Sequence, residues 1–155
     1  MSETQRITLT LTQESDYVFR IAFDDSAIPD LITDESAPLG TDRGPNPSRM
    51  LVAAVANCLS ASLLFSLRKF KNTPGTLVTH AEAELTRNAE GRLRVGRIGV
   101  TLELPEAAAE YHQIERLLQQ FEQFCVVTQS VREGVVVAAR VLDSSGKQLY
   151  PPPQA

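Results

Sequence analysis

The chain has 155 residues, 43% hydrophobic and 22% charged, with a net charge of -4 and a pI of about 5.2. That length suits one domain whose core needs no metal or disulfide, and the acidic balance excludes the basic face of a nucleic-acid binder. The start, MSETQRITLTLTQESD, is polar and alternating rather than a basic and apolar leader, and no run approaches about 18 apolar residues, so neither a signal peptide nor a membrane span is expected. A cytoplasmic location is the expectation, and in a reducing compartment the two cysteines read as free core thiols or a cycling pair rather than a structural disulfide. His80 and His112 stand at no zinc-like spacing from either cysteine, so no metal and no cofactor are expected.

Residues 5–12 alternate strictly, with Ile7, Leu9 and Leu11 on one face and threonines on the other, which predicts a half-buried strand. QESD is expected to turn the chain into a second strand, YVFRIAFDD. Residues 24–46, rich in Pro, Asp, Ser and Gly, read as a long loop with a brief strand at Leu31-Ile32-Thr33, and loops of that length are often functional. Asn46 as N-cap and Pro47 at the first helical position then open PSRMLVAAVANCLSASLLFSLRKF, a helix expected to be buried on most sides. Asn72 and Pro74-Gly75 end it, and the basic run Arg68-Lys69-Phe70-Lys71 complements its negative end.

TLVTHAEAELTRN and RLRVGRIGVTLEL read as two strands joined near Ala89-Glu90-Gly91, with Arg92, Arg94 and Arg97 on an exposed strand face. A second helix is expected from about Pro105 to Phe121, a short third one after Cys125 stopped by Gly134, and a closing strand at VVVAARVLD. The tail from 144 to 155 reads as turn and flexible chain. Hairpin strands and segregated helices predict an α+β fold with mainly antiparallel sheet in one domain, its core about 5–143.

Cys58 falls mid-helix on the stripe of Leu51 and Val55. There a cysteine is a small buried hydrophobe or, given a cationic partner, a nucleophile. Cys125 precedes VVTQSVREG, at or just before a helix N-terminus, where free N–H groups favour a thiolate; the alternative is that Phe124 to Val127 are all core. The two sulfurs bond only if their Cα atoms come within about 7 Å, and sequence separation does not decide that.

GPNPSRMLVAAVANCLSASL resembles the OsmC/Ohr family (osmotically inducible protein C and organic hydroperoxide resistance protein), with its Gly-x-Asn-Pro lead-in to a long helix, an Ala-rich turn and then a cysteine. FCVVTQSVREGVVVAARVLD resembles the segment around that family's second cysteine, and the element order agrees over about residues 5 to 143. The resemblance implies an OsmC-like fold of antiparallel sheets with a long central helix, in an intertwined homodimer. It implies reduction of organic hydroperoxides: Cys58 attacks the peroxide, Cys125 resolves the sulfenic acid as a disulfide, and an external dithiol reduces it. No cofactor and no metal are implied, and the apolar helix would line a pocket for an alkyl or fatty hydroperoxide.

The chain departs from the family in the groups that activate the thiolate. Family peroxidases carry a glutamate directly after the Asn-Pro, holding an arginine over the thiolate; this chain has Ser48 there, and its first turn, QESD, has no arginine. Arg49, nine residues before Cys58, points to the opposite side of the helix at about 100° per residue. Arg20 matches no family position, which leaves Arg43 in TDRGP as the candidate cation. Two alternatives stand beside the peroxidase: a non-peroxidatic dimer binding an apolar small molecule at its interface, and a thiol redox sensor.

Overall fold

A computed structural model of the chain describes residues 4–153. Its contacts separate into two compact units, one ending at Met50 and the other beginning at Leu51.

In the first unit, strands β1 (Leu9–Ser15), β2 (Val18–Phe23) and β3 (Leu31–Thr33) form an antiparallel sheet in the order β1-β2-β3. β1 begins later than expected and runs through most of QESD, because the reversal is a two-residue turn with Asp16 at φ 43°. Short polar Asp tolerates that left-handed conformation. Leu9 and Leu11 are 46% and 52% exposed, so the expectation of a half-buried strand fails: β1 is a sheet edge, exposed throughout. The loop after β3 is closed by Asp34, whose carboxylate accepts N–H bonds from Glu35 (2.7 Å), Thr41 (3.0 Å) and Arg43 (3.2 Å) and the Thr41 hydroxyl (2.9 Å). The loop doubles back so tightly that a Cβ on Gly40 would collide with the Glu35 carbonyl oxygen.

Helix α1 (Pro47–Lys69) starts as the sequence predicts: Asn46 Oδ1 accepts the Arg49 N–H at 2.9 Å, satisfying a donor with no partner inside the helix. It ends in a Schellman motif, with Asn72 N–H bonded to the Leu67 carbonyl and Lys71 N–H to that of Arg68, and Lys71 left-handed at φ 61°. Contrary to the composition reading, this helix is long and apolar enough to span a membrane, with a mean hydropathy of 2.0 over its best window. Val55, Leu59, Leu63 and Leu67 are instead fully buried in the protein core. Burial on most sides is not observed, since Ala53, Ala54, Asn57, Ala61 and Phe65 are exposed.

In the second unit, β4 (Val78–Arg87), β5 (Leu93–Glu103), β6 (Val136–Leu142) and β7 (Gln148–Tyr150) form one sheet in that order. The sheet is mixed, because β5 and β6 run parallel while the other pairs are antiparallel. A parallel pair needs a crossover of a dozen or more residues, and the segment from Leu104 to Val135 supplies it. Ile98, Val100 and Leu102 alternate on the face packed with α1, while Arg97, Gly99 and Thr101 occupy the other.

The crossover is not the long second helix expected. It holds 3-10 turns at Ala108–Glu110 and Phe121–Phe124, a five-residue α2 (Ile114–Leu118) and a six-residue α3 (Val126–Val131). Tertiary bonds take the N–H groups a helix would use: Ala108 donates to Asp143 (3.3 Å) and His112 to Asn72 (2.7 Å). Gln113, at φ 52°, then breaks the backbone run. The tail is ordered through β7, because Asp143 accepts the Ser145 and Lys147 N–H groups and turns the chain back onto β6. Residues 154 and 155 lie outside the described residues.

Candidate functional site: a thiol pair in the core

Cys58 lies on the fourth turn of α1, half-buried, packed against the core cluster that includes the fully buried Cys125. The segment carrying Cys125 is docked onto α1 by aromatic contacts. Phe124, the residue before Cys125, meets Phe65 edge-on at 5.5 Å between ring centroids, and Lys69 Nζ sits 5.1 Å over the Phe124 ring. Phe121 packs edge-on against Tyr150 of β7 at 5.2 Å, which holds the other side of the turn. The result brings the two cysteines, 67 positions apart in the sequence, to one core cluster, Cys125 within it and Cys58 packed against it. Both are free thiols.

Cys125 is the N-cap of α3, with its sulfur where a capping oxygen usually stands. Sγ accepts the Thr128 N–H at 3.4 Å, and the thiol donates to Thr128 Oγ1 at 2.8 Å. The sequence placed Cys125 either at a helix start, where a thiolate is favoured, or in a core run from Phe124 to Val127. Burial is the larger effect, however, and pushes the Cys125 thiol up; the neighbouring Cys58 thiol pushes the same way, and the N–H and hydroxyl of Thr128, as donors to the ionised sulfur, pull it back only in part. In the resting protein Cys125 is a thiol. Thr128 was not singled out by the sequence reading. The available signal was a hydroxyl residue three positions after a candidate cap.

Arg43 stands exposed in the loop of the first unit, its backbone N–H bound to Asp34. Its guanidinium forms no ion pair among the described residues. Arg49 is engaged within the first unit, with Nη1 2.8 Å from Ser36 Oγ and 3.4 Å from Asp42. Arg20, exposed on β2, pairs at the surface with Glu14 and, at 3.5 Å, with Asp30. Among the described residues no three His, Cys, Asp or Glu side chains gather as metal ligands. A groove of about 480 Å³ lies on the sheet face away from α1, bordered by His80, Glu82, Arg97, Thr101 and Arg140; neither cysteine lines it.

A long helix laid on a mixed sheet, with one free cysteine on the helix and a second on the crossover, defines an α+β protein. Residues 40–140 match the family described as OsmC-like protein, well over half of the chain, and the chain belongs to that family. Solved structures share the fold. An OsmC-like protein from Vibrio cholerae superposes with a TM-score of 0.76 at 15% identity, over 90% of this chain and 100% of that one. An organic hydroperoxide resistance protein from Elizabethkingia anophelis gives 0.72 at 17% identity, over 93% and 100%. OhrB, the organic hydroperoxide resistance protein of Bacillus subtilis, gives 0.63 at 18% identity, over 86% and 97%. At such identities the likeness is one of fold. No curated protein matches the sequence significantly.

Proposed function

We propose that the protein reduces organic hydroperoxides with Cys58 as the peroxidatic and Cys125 as the resolving thiol. The observation that carries this reading is the meeting of two free thiols at one core cluster, Cys125 buried within it and Cys58 packed against it. The Cys58 thiolate attacks the terminal peroxide oxygen; an S–O bond forms, the O–O bond breaks, and the alkoxide leaves as the alcohol after taking a proton. The Cys125 thiolate then attacks the sulfenic sulfur, so an S–S bond forms and the S–O bond breaks, releasing hydroxide that becomes water. An external dithiol returns two electrons by two thiol–disulfide exchanges.

Arg43 is the proposed cation for Cys58, in a chain where Ser48 replaces the family's glutamate. The apolar exposed stripe of α1 borders Cys58, which supports a homodimer whose partner closes over the site and favours an alkyl peroxide over hydrogen peroxide. The two units are read as one OsmC-like domain, and the compartment as the cytoplasm.

The test starts from reduced protein titrated with cumene hydroperoxide and, separately, hydrogen peroxide, following free thiols and intact mass. Both thiols per chain should be lost, faster with the organic peroxide. Cys58→Ser should lose none, and Cys125→Ser should stop at the sulfenic acid. Arg43→Gln should slow the first step about tenfold or more, the worth of one charge-assisted hydrogen bond. Slow oxidation in every form overturns the reading. Ser48 would then favour the second one, an apolar-ligand-binding dimer.

A further inference from the structure

We propose that Thr128 is the positioning residue of Cys125: it holds the sulfur in place as a thiol and turns its own hydroxyl proton onto that sulfur when the thiol ionises. This role rests on the peroxidatic reading for its purpose but not for its chemistry.

Thr128 is fully buried, and Cys125 Sγ is the partner of its hydroxyl among the described residues. A hydroxyl both donates and accepts, so one contact serves two protonation states. In the resting state the thiol donates to Oγ1 at 2.8 Å, and the backbone N–H of the same threonine points at the sulfur from 3.4 Å. Once the proton leaves, the thiolate can only accept. The hydroxyl then rotates to donate, giving the sulfur two donors from one residue without any backbone movement. Both donors belong to the first turn of α3, so they also fix the direction from which the sulfur meets Cys58.

This matters because the resolving step needs a thiolate at a sulfur that is fully buried. The Cys125 thiol gives its proton to solvent base, its electron pair forms the S–S bond, and the Cys58 S–O bond breaks with hydroxide leaving. In the disulfide the sulfur keeps no proton, so the thiol-to-hydroxyl bond is lost. The threonine therefore favours the reduced pair over the oxidised one as well as speeding its closure.

Two measurements test this on the full-length chain. In a Cys58→Ser background, the ultraviolet absorbance of the Cys125 thiolate is followed against pH with Thr, Ser, Val or Ala at position 128. The Val and Ala variants should ionise about one pH unit higher, and Thr128→Ser should match the parent. With Cys58 present, dimedone trapping after one equivalent of cumene hydroperoxide should show the sulfenic acid of Thr128→Val persisting about tenfold longer at neutral pH, with Ser restoring closure. An unchanged ionisation midpoint in folded Val and Ala variants overturns the proposal. If the parent forms no sulfenic acid, the peroxidatic reading fails, and the absorbance measurement still decides the role of Thr128.

Discussion

Single residues in this protein settle questions that composition leaves open, and Asp34 shows how. Only 2% of it is exposed. Burial alone would raise its carboxyl, but the N–H groups of Arg43, Thr41 and Glu35 and the Thr41 hydroxyl outweigh it and hold the group below the ordinary value of 3.8. A depressed carboxyl contributes stability that is present above the ordinary value and lost as pH falls through the folded one. Thermal melts of the parent should therefore lose stability steeply below about pH 4. Asp34→Asn should melt lower at neutral pH and show a shallower acid slope, with loosened backbone protection at Thr41 and Arg43 in hydrogen exchange. The sequence showed the loop and its Arg43, but three of the four donors to Asp34 are backbone groups, from residues up to nine positions away, and residue identity does not reveal them. The same holds for Thr128, whose hydroxyl matters only because a sulfur occupies the cap.

At the level of elements, the clearest successes are those with local causes. The start of α1 was readable because Asn46 caps it through its own side chain. Its end was readable only in part: Asn72 is more than a stop signal. Its amide bonds the carbonyls of Leu67 (3.2 Å) and His112 (3.1 Å), and its oxygen takes the His112 N–H (2.7 Å), so it ties α1 to the crossover. Asn72→Ala strands these buried groups and should destabilise the fold by about 1–3 kcal/mol in urea unfolding, with the m-value unchanged. The same tie explains why the predicted helix over 105–121 is broken into short turns. The apolar spacing there was real, and Leu117, Leu118 and Phe121 are buried, but partners outside the segment claimed its N–H groups. Within the second unit, Leu63→Ala, which empties a fully buried position between helix and sheet, should cost about 2–5 kcal/mol by the same assay.

For the whole molecule the open question is what covers α1. Ala54, Asn57, Ala61 and Phe65 follow one another at helical spacing on an exposed stripe, and Phe65 is 54% exposed. A helix this apolar is expected to bury that stripe, which supports the proposed homodimer. Sedimentation should give twice the 17.0 kDa chain mass, and Ala61→Glu, placing a charge on the stripe, should shift it toward the monomer and lower the melting temperature. A parent that sediments as a monomer would remove this part of the reading.

The sequence by itself determined the features whose physics is local: strand alternation, the cap and apolar body of α1, and the two cysteines in segments that resemble one family. It also sufficed for the α+β class. Only the tertiary structure decided that β6 joins β5 in parallel, that the tail adds a strand, and that the crossover is a chain of short turns, because each depends on hydrogen bonds to distant segments. Only it brought Cys58 against the core cluster that holds Cys125. Periodicity says which face of an element is apolar, but which side chain of another element arrives on that face is set by how the elements dock, here through Phe65 and Phe124.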